Sequence, residues 1–281
     1  MKLSIVLSTH AASFESVAYK GDLERNVERI ARLGYDGVEL AVRDPTLLDL
    51  GHVQEVISRL GLEVPAIGTG QAYSEEGLSF TAPEESLRWQ AIERIRKQVE
   101  LARSLGALVI VGLIRGKVQK GIAAAQARQW LVSALADCAR HAAPDVQLVL
   151  EPLNRYETNL INTVAEGLDL IEEVGANNMG LLFDTFHANI EEASIESAIR
   201  SAGDRLLHVH VADSNRWYPG AGHLDFSRVI STLHGMGYQG YLSAEIMPLP
   251  SAEACAERTI TNLRRGCPKG LRPGCQTEIR S

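Results

Sequence analysis

The sequence predicts a single α/β domain of the (β/α)8 barrel type, and three observations support this prediction. Short β-rich runs recur eight times in 281 residues, which gives about 35 residues for each strand and its following helix. Several runs are almost entirely apolar, as expected for parallel strands that are covered on both faces. The segments between the runs show the apolar spacing of helices. The predicted strands are 3–8, 37–41, 64–69, 107–112, 146–152, 179–185, 206–212 and 241–246.

Helix signals between these runs agree with the barrel. The clearest helix begins after Pro83 and has acidic residues in its first turn, where they interact favourably with the helix dipole. It ends before Gly106, a residue type that commonly terminates helices. The main alternative is an open doubly wound sheet, but the Gly-x-Gly-x-x-Gly signature does not follow the first strand. We therefore assign residues 1–263 to the barrel and predict an irregular tail, rich in Gly and Pro, over 264–281.

Composition and charge argue against several classes of protein. The formal net charge is −7 and no basic block occurs, so we expect neither a nucleic-acid partner nor a membrane surface. No apolar run reaches the ~18 residues that span a bilayer. The N-terminus is too short and too often interrupted by serine for a signal peptide. The four cysteines form no Cys-x-x-Cys pair, which argues against a zinc ribbon. We expect a cytoplasmic protein.

Polar side chains end the last four predicted strands. They are Glu151 on the fifth strand, Asp184 on the sixth, His210 on the seventh and Glu245 on the eighth. In a (β/α)8 barrel the C-terminal ends of the strands meet at one mouth, which is where active sites lie. We therefore expect these four side chains to converge at the mouth.

Three carboxylates and an imidazole form a ligand set suited to a divalent cation. Carboxylates repel one another at short range, so their convergence requires a positive charge. The oxygen-rich mixture suits Mn²⁺, Co²⁺ or Mg²⁺ better than a closed structural zinc site. A single carboxylate could instead cap a helix or pair with a basic residue, but four such residues at successive strand ends favour a metal site. We expect His208 to be a core or supporting histidine, and Asp225 to be a helix N-cap.

Residues 146–247 contain four motifs that, in this order, resemble those of a known family. The motifs are Glu151-Pro-Leu-Asn154-Arg155-Tyr156-Glu157, Asp184-Thr-Phe-His187, His210-Val-Ala-Asp213-Ser-Asn-Arg216 and Pro219-Gly-Ala-Gly222-His-Leu-Asp225-Phe226. They resemble the ketose 3-epimerases, the D-tagatose 3-epimerase family of the xylose isomerase-like TIM barrels. The resemblance implies an isomerase that acts on a small-molecule sugar, and a homo-oligomer (a dimer or tetramer).

The resemblance also implies a role for each matched residue. One divalent metal ion, Mn²⁺ by preference and Co²⁺ or Mg²⁺ as alternatives, would be bound by Glu151, Asp184, His210 and Glu245. Glu151 and Glu245 would in addition be the two catalytic acid/base groups. They would invert C3 of a ketose by removing its proton from one face, which gives a metal-stabilised enediolate, and returning a proton to the opposite face.

Four further residues are predicted to bind the substrate. The resemblance implies that His187 and Arg216 hold the substrate oxygens near C1 and C2, and that Glu157 contacts the terminal region. Arg115 follows the fourth strand and is a further candidate from its place at the predicted mouth. Site-wall roles for the segment Thr69-Gly70-Gln71-Ala72-Tyr73, after the third strand, are conjectural.

Several functions remain open at this point. Free ketoses such as L-ribulose, D-tagatose, D-fructose or D-psicose are the favoured substrates. A keto-acid sugar such as 5-keto-L-gluconate is an alternative, because Arg115 could meet its carboxylate. An aldose–ketose isomerase, with hydroxypyruvate as a small substrate, would use the same metal. An endonuclease IV-like DNA repair enzyme would need three zinc ions and a basic face, and a non-catalytic sugar-binding barrel would not need two glutamates beside a metal.

Overall fold

Eight parallel strands close into a barrel in the computed structural model, which describes residues 1–266. A further two-residue strand, β2 (Tyr19–Lys20), pairs in parallel with the end of β1 (Lys2–Ser8), and the sequence does not predict it. The last strand pairs with the first, with Leu3 opposite Leu242, and this pairing closes the barrel. The strands are β1 (Lys2–Ser8), β2 (Tyr19–Lys20), β3 (Gly37–Ala41), β4 (Ala66–Gly68), β5 (Leu108–Val111), β6 (Leu148–Leu150), β7 (Met179–Asp184), β8 (Leu206–Val211) and β9 (Tyr241–Ala244). The predicted (β/α)8 fold is confirmed.

Helices surround the barrel and follow the strands in the expected alternation. They are α1 (Leu23–Leu33), α2 (Leu50–Arg59), α3 (Gly70–Glu76), α4 (Glu85–Leu105), α5 (Ala124–Ala142), α6 (Val164–Val174), α7 (Thr185–Glu191), α8 (Ile195–Ala202), α9 (Phe226–Gly235) and α10 (Ala252–Gly266). The predicted helix after Pro83 is α4, and it ends at Gly106 in the left-handed conformation (φ 68°) that glycine adopts readily. Within residues 1–266, no helix combines the length and the apolar composition needed to cross a membrane.

Alternation along the strands separates two apolar layers. The larger layer lies between the strands and the helices and contains Val109 and Val111 of β5. Ile110, between them, belongs instead to a small cluster with Ala66, Val149 and Leu182, one residue from each of four consecutive strands. Because successive side chains of a strand point to opposite faces, this small cluster fills the barrel interior. It forms part of the floor on which the polar residues of the mouth are placed.

Side-chain caps fix where the helices begin. Asp225 accepts hydrogen bonds from the backbone N–H groups of Ser227 and Arg228 at the start of α9, so the predicted N-cap is confirmed. Thr163 begins α6 with a capping box, in which its hydroxyl accepts from the backbone N–H of Glu166 and the Glu166 carboxylate accepts from that of Thr163.

The predicted start of the tail is corrected by α10. That helix runs to Gly266, three residues beyond the boundary placed at residue 263. The Arg264 side chain supports this end of the helix, because its Nη2 donates to the carbonyl oxygen of Gly34 at 2.7 Å and ties the end of α10 to the end of α1. Residues 267–281 of the predicted tail lie outside the described residues.

The capping box of α6 provides a stability test. We expect Thr163→Ala to lower the free energy of unfolding by about 1 kcal/mol, because it leaves the Glu166 N–H without its acceptor. Thr163→Ser retains the hydroxyl and should lose less than half of that. Urea denaturation of the three proteins measures the difference, and equal losses in both variants would contradict the capping role.

Candidate metal centre and active site

The four strand-end residues converge at the barrel mouth as the sequence predicts. Glu151 directly follows β6, Asp184 ends β7, His210 lies in β8 and Glu245 directly follows β9. Each offers one ligand atom, and these four atoms all lie within 4.8 Å of one another. The register of the last four strands therefore brings together residues that are far apart in the sequence.

Three of these residues have polar atoms that are buried and unpaired. Glu151 Oε1, Asp184 Oδ2 and His210 Nδ1 have no hydrogen-bond partner among the described residues. The imidazole Nδ1 lies 3.5 Å from Glu151 Oε1 and 3.8 Å from Asp184 Oδ2. Burial of unpaired, charged oxygens is costly unless a cation meets them. Carboxylate oxygens with one imidazole nitrogen are donors that Mn²⁺, Co²⁺ and Mg²⁺ accept, so the site fits a divalent metal ion.

A buried glutamate orients the ligand histidine. Glu39, in the middle of β3, accepts hydrogen bonds from His210 Nε2 at 3.0 Å and from His208 Nε2 at 2.8 Å. With Nε2 engaged, His210 presents Nδ1 to the cluster, the arrangement in which a carboxylate fixes a metal-binding imidazole. His208 is thus a supporting residue, as expected. The sequence does not predict this role for Glu39, although an acidic residue inside an apolar strand is a signal.

Burial and mutual repulsion alter the acidity of the cluster. Burial raises the pKa of Glu245 to about 7, and the nearby Glu151 carboxylate adds to the rise. Burial likewise raises the pKa of Asp184 to about 6. Burial would also raise the pKa of Glu39, but the charges and hydrogen bonds of His210 and His208 outweigh it, and that pKa is lowered. Glu39 therefore stays anionic, whereas protons compete with a metal ion for the oxygens of Asp184 and Glu245.

Arg115 does not reach the mouth, which corrects its interpretation as a substrate contact. Its guanidinium is fully buried behind Glu151. It donates to the carbonyl oxygens of Leu160, Ile161, Gly112 and Glu151. With its hydrogen bonds committed to the backbone, Arg115 holds the strand end that carries Glu151.

The two carboxylate oxygens of Asp184 make different interactions. Oδ1 accepts from the backbone N–H groups of Phe186 and His187 and so caps α7, while Oδ2 faces the cluster. Helix capping and metal binding, which the sequence left as alternatives, are therefore compatible in this residue. The cap also fixes His187, two positions into the helix.

His187 is held as a neutral hydrogen-bond donor. Its Nδ1 accepts from the backbone N–H of Asn154 at 3.2 Å and from Nδ2 of the same residue at 2.7 Å. Oδ1 of Asn154 accepts from the backbone N–H of Tyr156, which sets the orientation of the amide. The proton of His187 must therefore lie on Nε2, which has no partner among the described residues. Burial, reinforced by the charge of Arg216, lowers the pKa of His187 well below its usual value.

A constrained loop places Arg216 over the mouth. The buried carboxylate of Asp213 accepts from the backbone N–H groups of Ser214, Gly220 and Leu224, and thereby shapes the loop. Arg216 itself adopts the left-handed conformation (φ 61°), which is costly for a non-glycine residue and typical of functional positions.

The guanidinium of Arg216 joins two carboxylates. It donates to Glu157 Oε1 at 2.7 Å and to Glu245 Oε2 at 2.9 Å. Arg216, Glu157 and Glu245 line one cleft that opens to solvent. Of the predicted site residues, the cleft lining includes Glu151, His210, Glu245, His187, Arg216 and Glu157. Asp184 belongs to the ligand cluster but, like Arg115, is not among the lining residues.

This architecture defines a class of enzyme barrels. The closed eight-stranded barrel is that of the xylose isomerase-like TIM barrels, and the model of this family matches residues 27–265. A solved structure of an L-ribulose 3-epimerase is similar, with a TM-score of 0.83, 30% identity and 94% of each chain covered. A D-allulose 3-epimerase from Methylomonas sp., solved in complex with D-allulose, has a TM-score of 0.80 and 25% identity and covers 95% of this chain and 98% of that one.

Sequence similarity identifies the family within that class. L-ribulose 3-epimerase of Mesorhizobium japonicum is 34% identical to this chain over 242 residues, which are 85% of this chain and 80% of that protein. The chain belongs to the ketose 3-epimerase family of the xylose isomerase-like TIM barrels. It is accordingly an epimerase, an enzyme of the isomerase class.

The raised pKa values predict pH-dependent metal binding. Protons must leave Asp184 and Glu245 before their oxygens can bind a cation, and these protons leave near pH 6 and 7. We therefore expect the affinity for Mn²⁺ to rise by about 10- to 100-fold from pH 5.5 to 7.5, with proton release on binding. Calorimetry in buffers of different ionisation enthalpy measures both, and an affinity independent of pH would contradict the ligand assignment.

A glycine beside Glu151 provides a second test. A Cβ added at Gly112 would lie 2.6 Å from Glu151 Oε2, so Gly112→Ala should displace that carboxylate. We expect Mn²⁺ affinity to fall by about 10-fold or more. Gly235→Ala is the matched control, because its added Cβ meets nothing within 4 Å. Unchanged affinity in both variants would show that Glu151 is not a ligand in this position.

Proposed function

We propose that the protein is a divalent-metal-dependent ketose 3-epimerase that acts on free ketoses, and that Glu151 and Glu245 are its acid/base pair. The observation that carries the proposal is the placement of these two glutamates. They follow barrel strands separated by two others, line the same cleft, and belong to one cluster of metal-type ligands. The names of the similar epimerases support the ketose substrate.

The metal ion would be held by Glu151, Asp184, His210 and Glu245, with Mn²⁺ favoured and Co²⁺ or Mg²⁺ as alternatives. When bound, it would supply Lewis-acid polarisation of the ketose oxygens, which makes the C3 proton more acidic. Every other step is assigned to residues of the chain.

Proton transfer is assigned to the two glutamates. Inversion at C3 requires that a proton be removed from one face of the substrate and delivered to the other. With Glu151 on one side of the substrate and Glu245 on the other, one carboxylate can remove the proton and the other can deliver one. The two residues exchange these roles in the reverse reaction. The backbone hydrogen bonds of Arg115 and the ion pair with Arg216 hold these carboxylates in position.

Substrate positioning is assigned to His187, Arg216 and Glu157. The Nε2–H of His187 is a fixed, uncharged donor that can stabilise negative charge as it develops on a substrate oxygen. Arg216 can donate to oxygens near C1 and C2. Both hydrogen bonds to Glu157 end on Oε1, which leaves Oε2 to accept from a substrate hydroxyl.

The keto-acid alternative has lost its main argument. It depended on Arg115, and the guanidinium of this residue is buried against backbone carbonyls. Aldose–ketose isomerisation would use the same ligands, so a measurement must separate it from epimerisation. The expected dimer or tetramer stays a prediction.

The test is turnover of a panel of ketoses and keto acids with Mn²⁺ in D₂O. We expect C3 epimers that carry deuterium at C3, and loss of activity on treatment with a chelator that Mn²⁺ or Co²⁺ reverses. Glu151→Gln and Glu245→Gln should each abolish epimerisation. Each variant should still exchange a C3 hydrogen with solvent, but only in the epimer whose C3 hydrogen faces the remaining glutamate.

Three outcomes would contradict this function. Deuterium at C1 or C2 with an aldose product would indicate an isomerase. Full activity in metal-free protein would remove the metal from the mechanism. Near-normal epimerisation by a variant that lacks one glutamate, with its metal content verified, would exclude the two-base mechanism.

A further inference from the structure

An unpaired amide oxygen belongs to Gln71, a residue of the cleft lining. The ligands come from β6–β9, whereas the opposite wall is formed by β1–β5 and the segments that follow them and is largely apolar, with Val6 and Ile110 among its residues. Gln71, in the first turn of α3, lies on this wall and is only 4% exposed. Its Oε1 has no hydrogen-bond partner among the described residues. A buried acceptor without a partner is costly unless a water molecule or a ligand satisfies it.

Neighbouring groups fix which end of the Gln71 amide is free. Ser8 Oγ donates its proton to the carbonyl oxygen of His10 at 2.7 Å. The same Oγ lies 2.7 Å from the amide of Gln71 and must act there as an acceptor, so the atom next to it is Nε2. Oε1 therefore remains on the other side of the amide. The nearby hydroxyl of Thr69 is already committed to the carbonyl oxygen of Ile110.

The chemistry of this wall selects for a donor without negative charge. Oε1 only accepts hydrogen bonds, so a ligand must bring an O–H or N–H group. A carboxylate or phosphate at this position would place its oxygens, which accept hydrogen bonds, against Gln71 Oε1, which also only accepts, so no hydrogen bond would form. Among the described residues of the cleft lining, Arg216 is the one permanent cation, and it is paired with Glu157 and Glu245. No positive charge on this wall compensates an anionic group.

We propose that Gln71 is a specificity-determining residue whose Oε1 accepts a hydrogen bond from a hydroxyl of the substrate beyond C3. This inference rests on the proposed function and deepens it. The ligand cluster holds the reacting end of the ketose, so the remaining carbons of the substrate extend toward the opposite wall. Gln71 thereby selects neutral ketoses with a hydroxylated tail over sugars that carry a carboxylate or phosphate there.

The experiment combines Gln71→Leu with substrates that lack one hydroxyl. kcat/KM is measured for a neutral ketohexose and for analogues deoxygenated singly at C4, C5 or C6. With wild-type protein, we expect one analogue to react about 3- to 30-fold less efficiently than the parent. Gln71→Leu should lose a similar factor on the parent ketose but nothing further on that one analogue.

Gln98→Leu is the matched control. Gln98 is likewise buried and donates through Nε2 to the carbonyl oxygen of Val42. Its Oε1 has no partner within residues 1–266, but Gln98 does not line the cleft. Its variant should retain the wild-type ranking of the analogues even if its thermal stability falls. Gln71→Met serves as a second variant if Gln71→Leu does not fold.

The outcomes separate this inference from the proposed function. If the wild-type enzyme epimerises ketoses but Gln71→Leu lowers kcat/KM equally for the parent and every analogue, Gln71 binds no substrate hydroxyl and the inference is overturned, while the function stands. Turnover of a tail-carboxylate keto acid within about 3-fold of the neutral ketose would also overturn it. If wild-type protein epimerises none of the panel, the proposed function fails. Calorimetric binding of the same sugars to both proteins then decides the role of Gln71 by the same comparison.

Discussion

Repulsion among like charges is the constraint on which the rest of this structure depends. Three carboxylates and an imidazole have their ligand atoms within 4.8 Å of one another in a largely buried site. Left alone, such groups would move apart or take up protons. Each is therefore held by a group outside the cluster: Glu151 by the backbone that Arg115 supports, Asp184 by the helix it caps, His210 by Glu39 and Glu245 by Arg216. The supports keep the ligand atoms close together, where a cation would offset their repulsion.

The sequence predicted the parts of this arrangement whose signal is local. Parallel strands buried on both faces give apolar runs, so a polar residue that ends such a run, as Glu151 or Asp184 does, is conspicuous. Short elements carry little such signal: β2 has two residues, and α3 and α7 have seven each. These elements form because the barrel positions them, and periodicity cannot reveal them.

The supporting contacts were out of reach for a different reason. The guanidinium of Arg115 binds carbonyl groups of residues that lie 45 and 46 positions later, so its direction is decided by tertiary structure. The position of Arg115 at a predicted strand end therefore could not show whether its side chain contacts the substrate or stabilises the backbone. The tautomer of His187 likewise depends on Asn154, which lies on a different strand end. Residue identity was readable from sequence, whereas the partner of each residue required the fold.

The division of the cleft between two halves of the barrel has an evolutionary consequence. The groups assigned to proton transfer follow β6 and β9, and the wall that faces the rest of the substrate follows β1–β5. Substitutions in the loops after β1 and β4 can thus alter which sugars fit without changing Glu39 of β3 or Gly112 and Arg115 after β5, which position His210 and Glu151. After gene duplication, variation in these loops can generate enzymes of different substrate range that share one chemistry.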